Sequence, residues 1–365
     1  MDRRSFMATT ATGAVTALAV PQSYAQAATH TPPEPRAGAR VFRAALSPAF
    51  AQGYLRDLAD RFILQIAQLS DGALWPTVAG GPTQPGVALT ATTDFDFWLG
   101  SADELYALNP GFAYLAGLPS ELGLSAPQHR AWYAAAGGEL ACDELALAHG
   151  FKPLPIGHTS EAAGAWATRD VATLSELQGA KVAADGLSAG IVGRLGALPT
   201  TAAADRLPGM LAEGELLLAE PPLPFVAAYA DGYGIGAGNR WLRDGFKPKG
   251  TTLVCCVPAA LWTGLSTHDR ALLSAAATLS DNATAADVAA HQFLVAPHLR
   301  AARGITVTAF PDVIGRAIAH VATDLVARTR EADTIIERLH MAYFGFRQAA
   351  TGLGDPTLSN ATFAS

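Results

Sequence analysis

The sequence contains little cysteine and no recognisable metal-binding motif. Its three cysteines, Cys142, Cys255 and Cys256, are too few for a disulfide framework. Neighbouring cysteines rarely pair with each other, so a bridge from Cys142 to one of the other two is the only one to consider. However, Cys255 and Cys256 lie in the apolar run 252–257, which predicts a buried strand where cysteine packs as a small hydrophobic residue. We therefore expect no disulfide, and no Cys/His spacing resembles a zinc site.

Positive charge is also scarce. The chain has 25 Lys and Arg residues against 32 Asp and Glu residues, which gives a formal net charge of −7. A nucleic-acid partner would require clustered Lys and Arg, and we expect none. Beyond the N-terminal segment, Gly, Pro or a charge interrupts every apolar run before it reaches the ~20 residues of a membrane helix. The sequence therefore predicts a soluble chain with ample material for its cores.

The motifs of common catalytic sites are absent as well. The sequence has no nucleophile elbow, no P-loop and no dinucleotide-binding fingerprint between a strand and a helix. The glycine-rich stretch 232–238 lacks this context, and we interpret it as a loop. We expect a protein that is not an enzyme. An exported enzyme is an alternative, but this absence of catalytic motifs disfavours it.

The first 27 residues have the features of an export signal. Arg3 and Arg4 precede the weakly apolar run 8–20, and the small-residue cleavage pattern Ala25-Gln26-Ala27 follows. A membrane anchor is the alternative, but the run is too short and too rich in Thr, Gly and Ala to span a bilayer. The paired arginines and low hydrophobicity favour the twin-arginine route and a periplasmic location. Residues 28–39 form a Pro-rich leader, which we expect to be an extended tether.

After the leader, the patterns alternate between strand and helix. Residues 41–46 predict a strand, and residues 54–69 carry apolar side chains in steps of three and four along one helical face. A second strand is predicted at 73–78, which completes a βαβ unit of the kind that builds parallel sheets covered by helices. The chain length suggests about two domains of roughly 150 residues each. We therefore predict an α/β fold with two domains.

The C-terminal region predicts the longest helix of the chain. Pro311 opens it, and apolar side chains from Ile314 to Phe346 recur mostly in steps of three and four. At 3.6 residues per turn, this stripe would extend over about nine turns. A helix of this length must cross more than one domain or pack on a partner chain, so a homodimer through this helix is also considered.

Two residues are candidates for a binding site on their position alone. Glu220 follows the apolar strand 216–219, and ligands of α/β folds bind beyond the carboxyl ends of strands. The alternative for Glu220 is a solvated turn residue. Trp166 lies between the two domain-like halves, where an aromatic side chain can stack on a ligand. Core packing explains Trp166 equally well.

Nine segments are similar, in order and spacing, to segments of one protein family. They are Gly100-Ser-Ala-Asp103, Leu118 to Ala126, Gly137-Gly-Glu-Leu140, Gly157-His-Thr159, Gly164-Ala-Trp166, Glu176 to Lys181, Leu195 to Pro199, Ala219-Glu220 with Pro224, and Val257 to Leu265. No segment is specific alone, but their order and spacing together are. Over residues 40–348 the chain resembles the extracytoplasmic solute receptors of TRAP (tripartite ATP-independent periplasmic) transporters. The most similar branch binds α-keto acids such as pyruvate.

The resemblance implies both a fold and a function. It implies a two-domain periplasmic-binding-protein-like α/β fold with an interdomain cleft that closes by hinge motion. The first domain would take residues 40–158 and 255–300, the second 159–254, and a long helix 311–348 would span both. Such a receptor captures a small organic acid, keto acid-like, or a related solute, and passes it to the permease subunits. The alternative is a diverged receptor scaffold that senses or docks to another protein without transport.

At the ligand anchors, the chain departs from the family. Two arginines of the family fall on Ala183 and Thr168, a ligand- or cation-binding glutamine falls on Ala162, and a tryptophan falls on Pro221. Ala and Thr cannot replace the bidentate contact of an arginine with a carboxylate.

The resemblance and the remaining residues together predict the pocket wall. We expect it to consist of Trp166, Glu220, Thr168, Thr159 and Arg169. Glu220 is also the candidate metal ligand, because members of the family can hold Na+ or another cation together with the solute.

Overall fold

The computed structural model describes residues 33–51, 53–89, 94–159, 164–202, 206–220, 240–243, 246–248, 250–290 and 305–352. The predicted export signal, the first residues of the Pro-rich leader, the glycine-rich stretch, Ala162 and Pro221 lie outside the described residues.

A five-stranded sheet forms the first of two lobes, which we call lobe I. Its strands, numbered in chain order, are β1 (Arg40–Leu46), β2 (Leu74–Val78), β3 (Phe97–Ser101), β4 (Phe151–His158) and β10 (Thr252–Pro258). Their order in the sheet is β2-β1-β3-β10-β4. Strand β1 runs parallel to β2 and β3, whereas β10 runs antiparallel to β3 and β4. The chain therefore returns to lobe I through β10 after it has built most of a second sheet.

Helices cover the first sheet. They are α1 (Gly53–Leu69), the single turns α2 (Pro85–Ala88) and α3 (Ala113–Ala116), α4 (Ala126–Ala135), α5 (Gly138–Ala148), α8 (Ala259–Gly264) and α9 (Thr267–Ala290). The predicted helix 54–69 is α1, and it buries the apolar face that carries Leu55, Phe62 and Ile66. Helix α4 begins after Ser125, which forms a capping box with Gln128.

The second sheet, in lobe II, has six strands. They are β5 (Gly164–Ala167), β6 (Lys181–Ala183), β7 (Leu198–Thr200), β8 (Leu218–Ala219), β9 (Arg240–Arg243) and β11 (Thr306–Ala309), in the order β11-β9-β5-β8-β6-β7. Helices α6 (Gly186–Arg194) and α7 (Leu207–Ala212) connect its parallel strands. Strand β6 lies between β7 and β8 and is parallel to both. The carboxyl ends of β6 and β8 therefore lie side by side, with Glu220 directly after β8.

The C-terminal region forms two helices where the sequence predicts one. They are α10 (Asp312–Glu331) and α11 (Thr334–Thr351). Asp333 separates them, because its backbone is extended and its side chain accepts a hydrogen bond from the N–H of Ile335, which is an N-cap. Helix α10 packs on α6 of lobe II and on the 3-10 helix Ser120–Leu122 of lobe I, whereas α11 packs on α5. Helix α10 therefore connects the two lobes.

One large apolar cluster continues from lobe I into lobe II. It contains Trp98 and Trp132 of lobe I, Ile191 of lobe II and Ile318 of α10. All three cysteines are buried and free. No helix within the described ranges is long and apolar enough to span a bilayer.

Candidate functional site

The two lobes meet where the 3-10 helix Ala102–Ala107 of lobe I faces the start of α6 in lobe II. We call this boundary the seam. Gly186, the first residue of α6, has a φ of +55°, and a Cβ atom there would lie 3.0 Å from the carbonyl oxygen of Asp103. On the lobe I side, a Cβ atom on Gly117 would lie 2.9 Å from the carbonyl oxygen of Gly250. Glycine at these two positions therefore allows backbone to approach backbone along the seam.

A small pocket opens on the seam, and residues of both lobes line it. It encloses ≈ 280 Å³, its open mouth included. The lining residues are Asp103, Tyr106, Ala113, Ala116, Gly117 and Pro119 from lobe I, Asp185, Leu187 and Ser188 from lobe II, and Pro248, which lies shortly before β10. Its enclosed part has room for about one water molecule. A solute would therefore enter only when the lobes move apart.

Lys247 places a positive charge beside this pocket. Its Nζ atom lies 3.5 Å from Oδ2 of Asp103, and the two side chains are only 10% and 13% exposed. Burial alone would lower the pKa of Lys247, but the carboxylates of Asp103, Asp185 and Glu220 outweigh it and raise this pKa. Burial likewise raises the pKa of Asp103, against the opposing effect of Lys247. Lys247 is therefore charged, and its charge is shared among three carboxylates.

Glu220 is buried at the end of β8, with 4% of its surface exposed. Its Oε1 atom accepts hydrogen bonds from the backbone N–H groups of Phe246 and Lys247, the latter at 2.9 Å. Its Oε2 atom is buried without a hydrogen-bond partner. Burial raises the pKa of Glu220 to about 7, although Lys247, the two N–H groups and the nearby hydroxyl of Ser188 favour the ionised form. This carboxyl group can therefore exchange a proton near neutral pH.

Trp166 lies in the core of lobe II. Its ring is 1% exposed and packs edge-on against Trp241, with the ring centroids 4.9 Å apart. Leu207, Leu211 and Ala219 belong to the same apolar cluster. Trp166 pairs through its backbone with Ala219, the residue before Glu220, but it does not line the pocket. Of the two interpretations of this residue, the structure shows core packing.

The two predicted threonines form hydrogen bonds at strand ends. The Thr159 hydroxyl accepts a hydrogen bond from the N–H of Thr251 at 2.7 Å, which fixes the end of β4 beside the start of β10. Thr251 in turn donates from its hydroxyl to Asp103 at 3.5 Å. The N–H of Thr168 donates to the carbonyl oxygen of Leu217 at 3.2 Å and so extends the pairing of β5 with β8. Thr159 thus reaches the seam through one intermediate residue, and Thr168 does not line the pocket.

Arg169 does not lie at the pocket. Its side chain is 52% exposed, and its Nη1 atom lies 2.6 Å from Oε1 of Glu176. Glu176 also accepts hydrogen bonds from the N–H groups of Ala172 and Thr173. Arg169 is therefore engaged on the surface of lobe II, and Lys247 supplies the positive charge beside the pocket.

The described part of the chain offers no set of metal ligands. Within it, no group of three or more His, Cys, Asp or Glu side chains is arranged to hold a metal ion. The partners of Glu220 there are backbone N–H groups, which are donors and not ligands. The role of Glu220 as a metal ligand stays a prediction.

Sequence reasoning missed the acidic residues and the lysine of the seam. Asp185 follows the apolar strand 182–184 as Glu220 follows 216–219, so the strand-end argument applied to Glu220 predicts it equally. Asp103 lies in a segment that carries the family resemblance, but nothing in that segment predicts that this residue lines a pocket. Lys247 has no local signal, because it reaches Asp103 only through the crossing of the chain between the lobes.

Comparison with solved structures identifies the architecture. A TRAP periplasmic solute-binding protein from Pseudoalteromonas atlantica, with bound sodium and pyruvate, is 17% identical over 86% of this chain and 95% of that chain, with a TM-score of 0.75. A TRAP transporter solute-binding protein from Bordetella bronchiseptica, a mixed-occupancy dimer with calcium and picolinate, is 18% identical over 87% and 94%, with a TM-score of 0.76. The chain has the fold of TRAP periplasmic solute-binding proteins. The predicted two-domain periplasmic-binding-protein-like α/β fold is therefore confirmed.

A third TRAP solute-binding protein differs in the chemistry of its ligand. It comes from Chromohalobacter salexigens, has bound (S)-(+)-2-amino-1-propanol, and is 14% identical over 87% of this chain and 98% of that chain, with a TM-score of 0.67. No protein-family model matches the sequence. The TRAP receptors similar to this chain are thus solute-binding proteins with ligands that differ in charge.

Proposed function

We propose that this chain is an extracytoplasmic solute receptor of a TRAP-type transporter. It captures a small organic solute outside the cytoplasmic membrane and passes it to the permease subunits. The pocket that both lobes line carries this proposal, because closure of two lobes on a solute requires wall residues from each of them. The predicted export signal agrees with a periplasmic location reached by the twin-arginine route. In this function the protein is a binding protein and not an enzyme.

A keto acid-like solute is the predicted ligand class, and two features support it. Lys247 and the backbone N–H groups at the start of α6 are groups that attract a carboxylate. The proteins from Pseudoalteromonas atlantica and Bordetella bronchiseptica hold pyruvate and picolinate, each together with a metal cation. A cation such as Na+ that accompanied an acid here would use the carboxylates at the seam, Glu220 among them.

The packing of the C-terminal helices within this chain removes the main argument for a homodimer through this region. Helix α10 buries Ile314, Ile318 and Val326 within this chain, and it packs on both lobes. Its apolar stripe therefore needs no second subunit. One similar protein is a dimer, so light scattering on the exported protein should decide between a monomer and a dimer.

A diverged scaffold that senses or docks without transport is the second candidate. The narrowness of the pocket favours it, because the enclosed part accommodates about one water molecule. A receptor must open to admit its solute, whereas a docking scaffold need not.

A binding screen distinguishes these two functions. The protein is exported with its own signal, purified from the periplasm and tested by thermal shift and calorimetry against keto acids, hydroxy acids, amino acids and amino alcohols. A solute receptor should give at least one saturable one-to-one binding isotherm. If no member of the panel binds to protein shown to be folded by circular dichroism, the receptor function is rejected and the docking scaffold is favoured.

A further inference from the structure

Two histidines of lobe I contact each other in the protein interior, outside the seam pocket. His129 on α4 is 1% exposed, and His158 at the end of β4 is 4% exposed. The Nδ1 atom of His129 lies 3.3 Å from Nε2 of His158. Nε2 of His129 lies 2.9 Å from the carbonyl oxygen of Tyr114, and Nδ1 of His158 lies 3.0 Å from Oδ1 of Asp281. The two rings therefore form a row of three polar contacts between two oxygen acceptors.

This row needs one proton more than two neutral imidazoles contain. A neutral imidazole carries one N–H group, so two neutral rings provide two protons for three contacts. The carbonyl oxygen of Tyr114 can only accept. Burial alone would raise the pKa of Asp281, but the hydrogen bonds and charges of His158 and Arg130 outweigh it and lower this pKa. Asp281 is therefore ionised and also only accepts, so with neutral rings one of the three contacts has no proton.

The hydroxyl of Thr252 does not make up this deficit. Its Oγ1 atom lies 3.2 Å from Nε2 of His158 and 3.5 Å from Nδ1 of His129. One hydroxyl donates one hydrogen bond, so it can satisfy only one of the two facing nitrogens. The other would be a buried acceptor without a donor, which is unfavourable. A proton between the two nitrogens satisfies both of them.

The surroundings of the rings favour one extra proton and not two. Burial and the neighbouring His158 lower the pKa of His129 to about 3, so a second extra proton is disfavoured near neutral pH. The titratable and charged groups that face the two rings are Asp281 on α9, Arg130 on α4 and Tyr343 on α11, with His340 on α11 behind the Tyr114 hydroxyl. The carboxylate of Asp281 is thus the counter-charge in direct contact with the pair.

The pair lies where the chain passes between the lobes. His158 ends β4, after which the chain enters lobe II, and Thr252 begins β10 on the return. These two residues are register partners in the sheet. The adjoining residues, Thr159 and Thr251, form hydrogen bonds with each other, and the Thr251 hydroxyl contacts Asp103 in the pocket wall. The pair therefore holds the lobe I ends of two crossing segments, through which a hinge motion would act.

We propose that His129 and His158 hold one proton between them and thereby fix the two strand ends at which the chain leaves and re-enters lobe I. With the proton in place, all three contacts of the row are hydrogen bonds that join α4, β4 and α9. Loss of the proton places two lone pairs opposite each other and weakens this junction. The lobe I side of the hinge is therefore sensitive to pH, and it becomes less stable as the pH rises.

NMR of the ring nitrogens tests the proton count directly. Protein labelled with 15N in its histidine rings is measured at pH 7.5, where only roughly a tenth of a free imidazole is protonated. Two neutral rings show two bare nitrogens, one on each ring, whereas a shared proton leaves His129 and His158 with at most one. Two bare nitrogens would overturn the inference. A stoichiometric metal ion in the purified protein, detected by mass spectrometry, would overturn it as well, because a cation would then replace the proton.

Asp281→Asn is a matched variant, because Asn has nearly the same shape and its amide can donate a hydrogen bond. A donor at this end of the row lets two neutral rings satisfy all three contacts. The variant should therefore show two bare nitrogens at pH 7.5. Asp60→Asn, which removes the ion pair with Arg56 on α1, is the control and should retain the wild-type pattern. A wild-type pattern in Asp281→Asn would contradict the proton count.

The effect on the hinge is measured by stability and hydrogen exchange. The unfolded chain has released most of its imidazole protons at pH 7.5, since their pKa is about 6.5. A proton that only the folded pair retains stabilises the fold, and this contribution is lost as the pH rises. The urea midpoint of the wild type should therefore fall more between pH 7 and 8.5 than that of Asp281→Asn. The backbone N–H groups of Thr159 and Thr251, corrected for intrinsic rates, should exchange faster over the same range in the wild type. Equal midpoint shifts in the two proteins, or unchanged exchange in the wild type, would overturn the inference.

Discussion

Replacement of Glu220 by Gln should change how the stability of the protein depends on pH. The unfolded chain loses the Glu220 proton around pH 4.5, whereas burial in the folded state delays this loss to about pH 7. Between these two pH values the unfolded state releases a proton that the folded state retains. Rising pH therefore destabilises the folded wild type through this residue, and the effect is complete above pH 7. Below pH 4.5 both states are protonated, and Glu220 contributes nothing to the pH dependence.

The magnitude follows from the two pKa values. The difference between 4.5 and about 7, at about 1.4 kcal/mol per pKa unit, amounts to roughly 3 kcal/mol. Gln retains the oxygen that accepts from the N–H groups of Phe246 and Lys247, but it carries no charge. Glu220→Gln should therefore match the wild type at pH 4.5 and exceed its free energy of unfolding by up to roughly 3 kcal/mol at pH 8. The loss of one anionic partner for Lys247 will offset part of this gain.

Urea unfolding monitored by tryptophan fluorescence at pH 4.5, 6 and 8 measures the effect. Glu176→Gln is the control, because Glu176 is a half-buried capping residue whose pKa is lowered, chiefly by the N–H groups of Thr173 and Ala172. Its stabilising contribution is present at neutral pH and lost as the pH falls through the folded pKa, so this variant should change stability in the opposite direction. A stability difference between Glu220→Gln and wild type that stays constant from pH 4.5 to 8 would refute the reasoning about the buried carboxyl.

Three further predictions concern the seam, a helix end and the cysteines. Gly186→Ala puts a Cβ atom 3.0 Å from the Asp103 carbonyl oxygen at a φ of +55°. This variant should lower the free energy of unfolding by about 1–2 kcal/mol in urea titrations. The control Gly209→Ala, where no atom lies within 4 Å of the new Cβ, should not lower it. Asp333→Ala removes the N-cap of α11 and should cost about 1 kcal/mol in the same assay; an unchanged midpoint would contradict the cap. All three cysteines, Cys142, Cys255 and Cys256, are buried and free. A thiol reagent should therefore modify all three in urea and none in native buffer. Fast labelling of the native protein would contradict their burial.

The fold could be predicted from local patterns because each pattern has a local cause. The apolar stripe of α1 and the capping box of α4 depend on residues three or four positions apart. The C-terminal helix shows where this reasoning failed. Its apolar spacing continues across the break between α10 and α11, but Asp333 before Thr334 is a start signal of its own. Attention to caps as well as periodicity would have predicted two helices.

The site was less predictable, because it is made by distant parts of the chain. Glu220 was found because a strand end has a known meaning in this fold class. Trp166 could not be resolved, since a core tryptophan and a stacking tryptophan have the same neighbours in sequence. The approach of Gly186 to Asp103 and of Lys247 to Asp103 depends on how the two lobes meet. No spacing in the sequence encodes that contact.

The central claim is that the two lobes close on a small solute at the seam. Spin labels at Leu140 on α5 of lobe I and Leu198 on β7 of lobe II, which are 77% and 51% exposed, report the distance between the lobes by double electron–electron resonance. Protein freed of solute should give a broad or long distance distribution, and the tightest-binding member of the solute panel should shorten and narrow it. Identical distributions with and without a solute that calorimetry shows to bind would contradict the account.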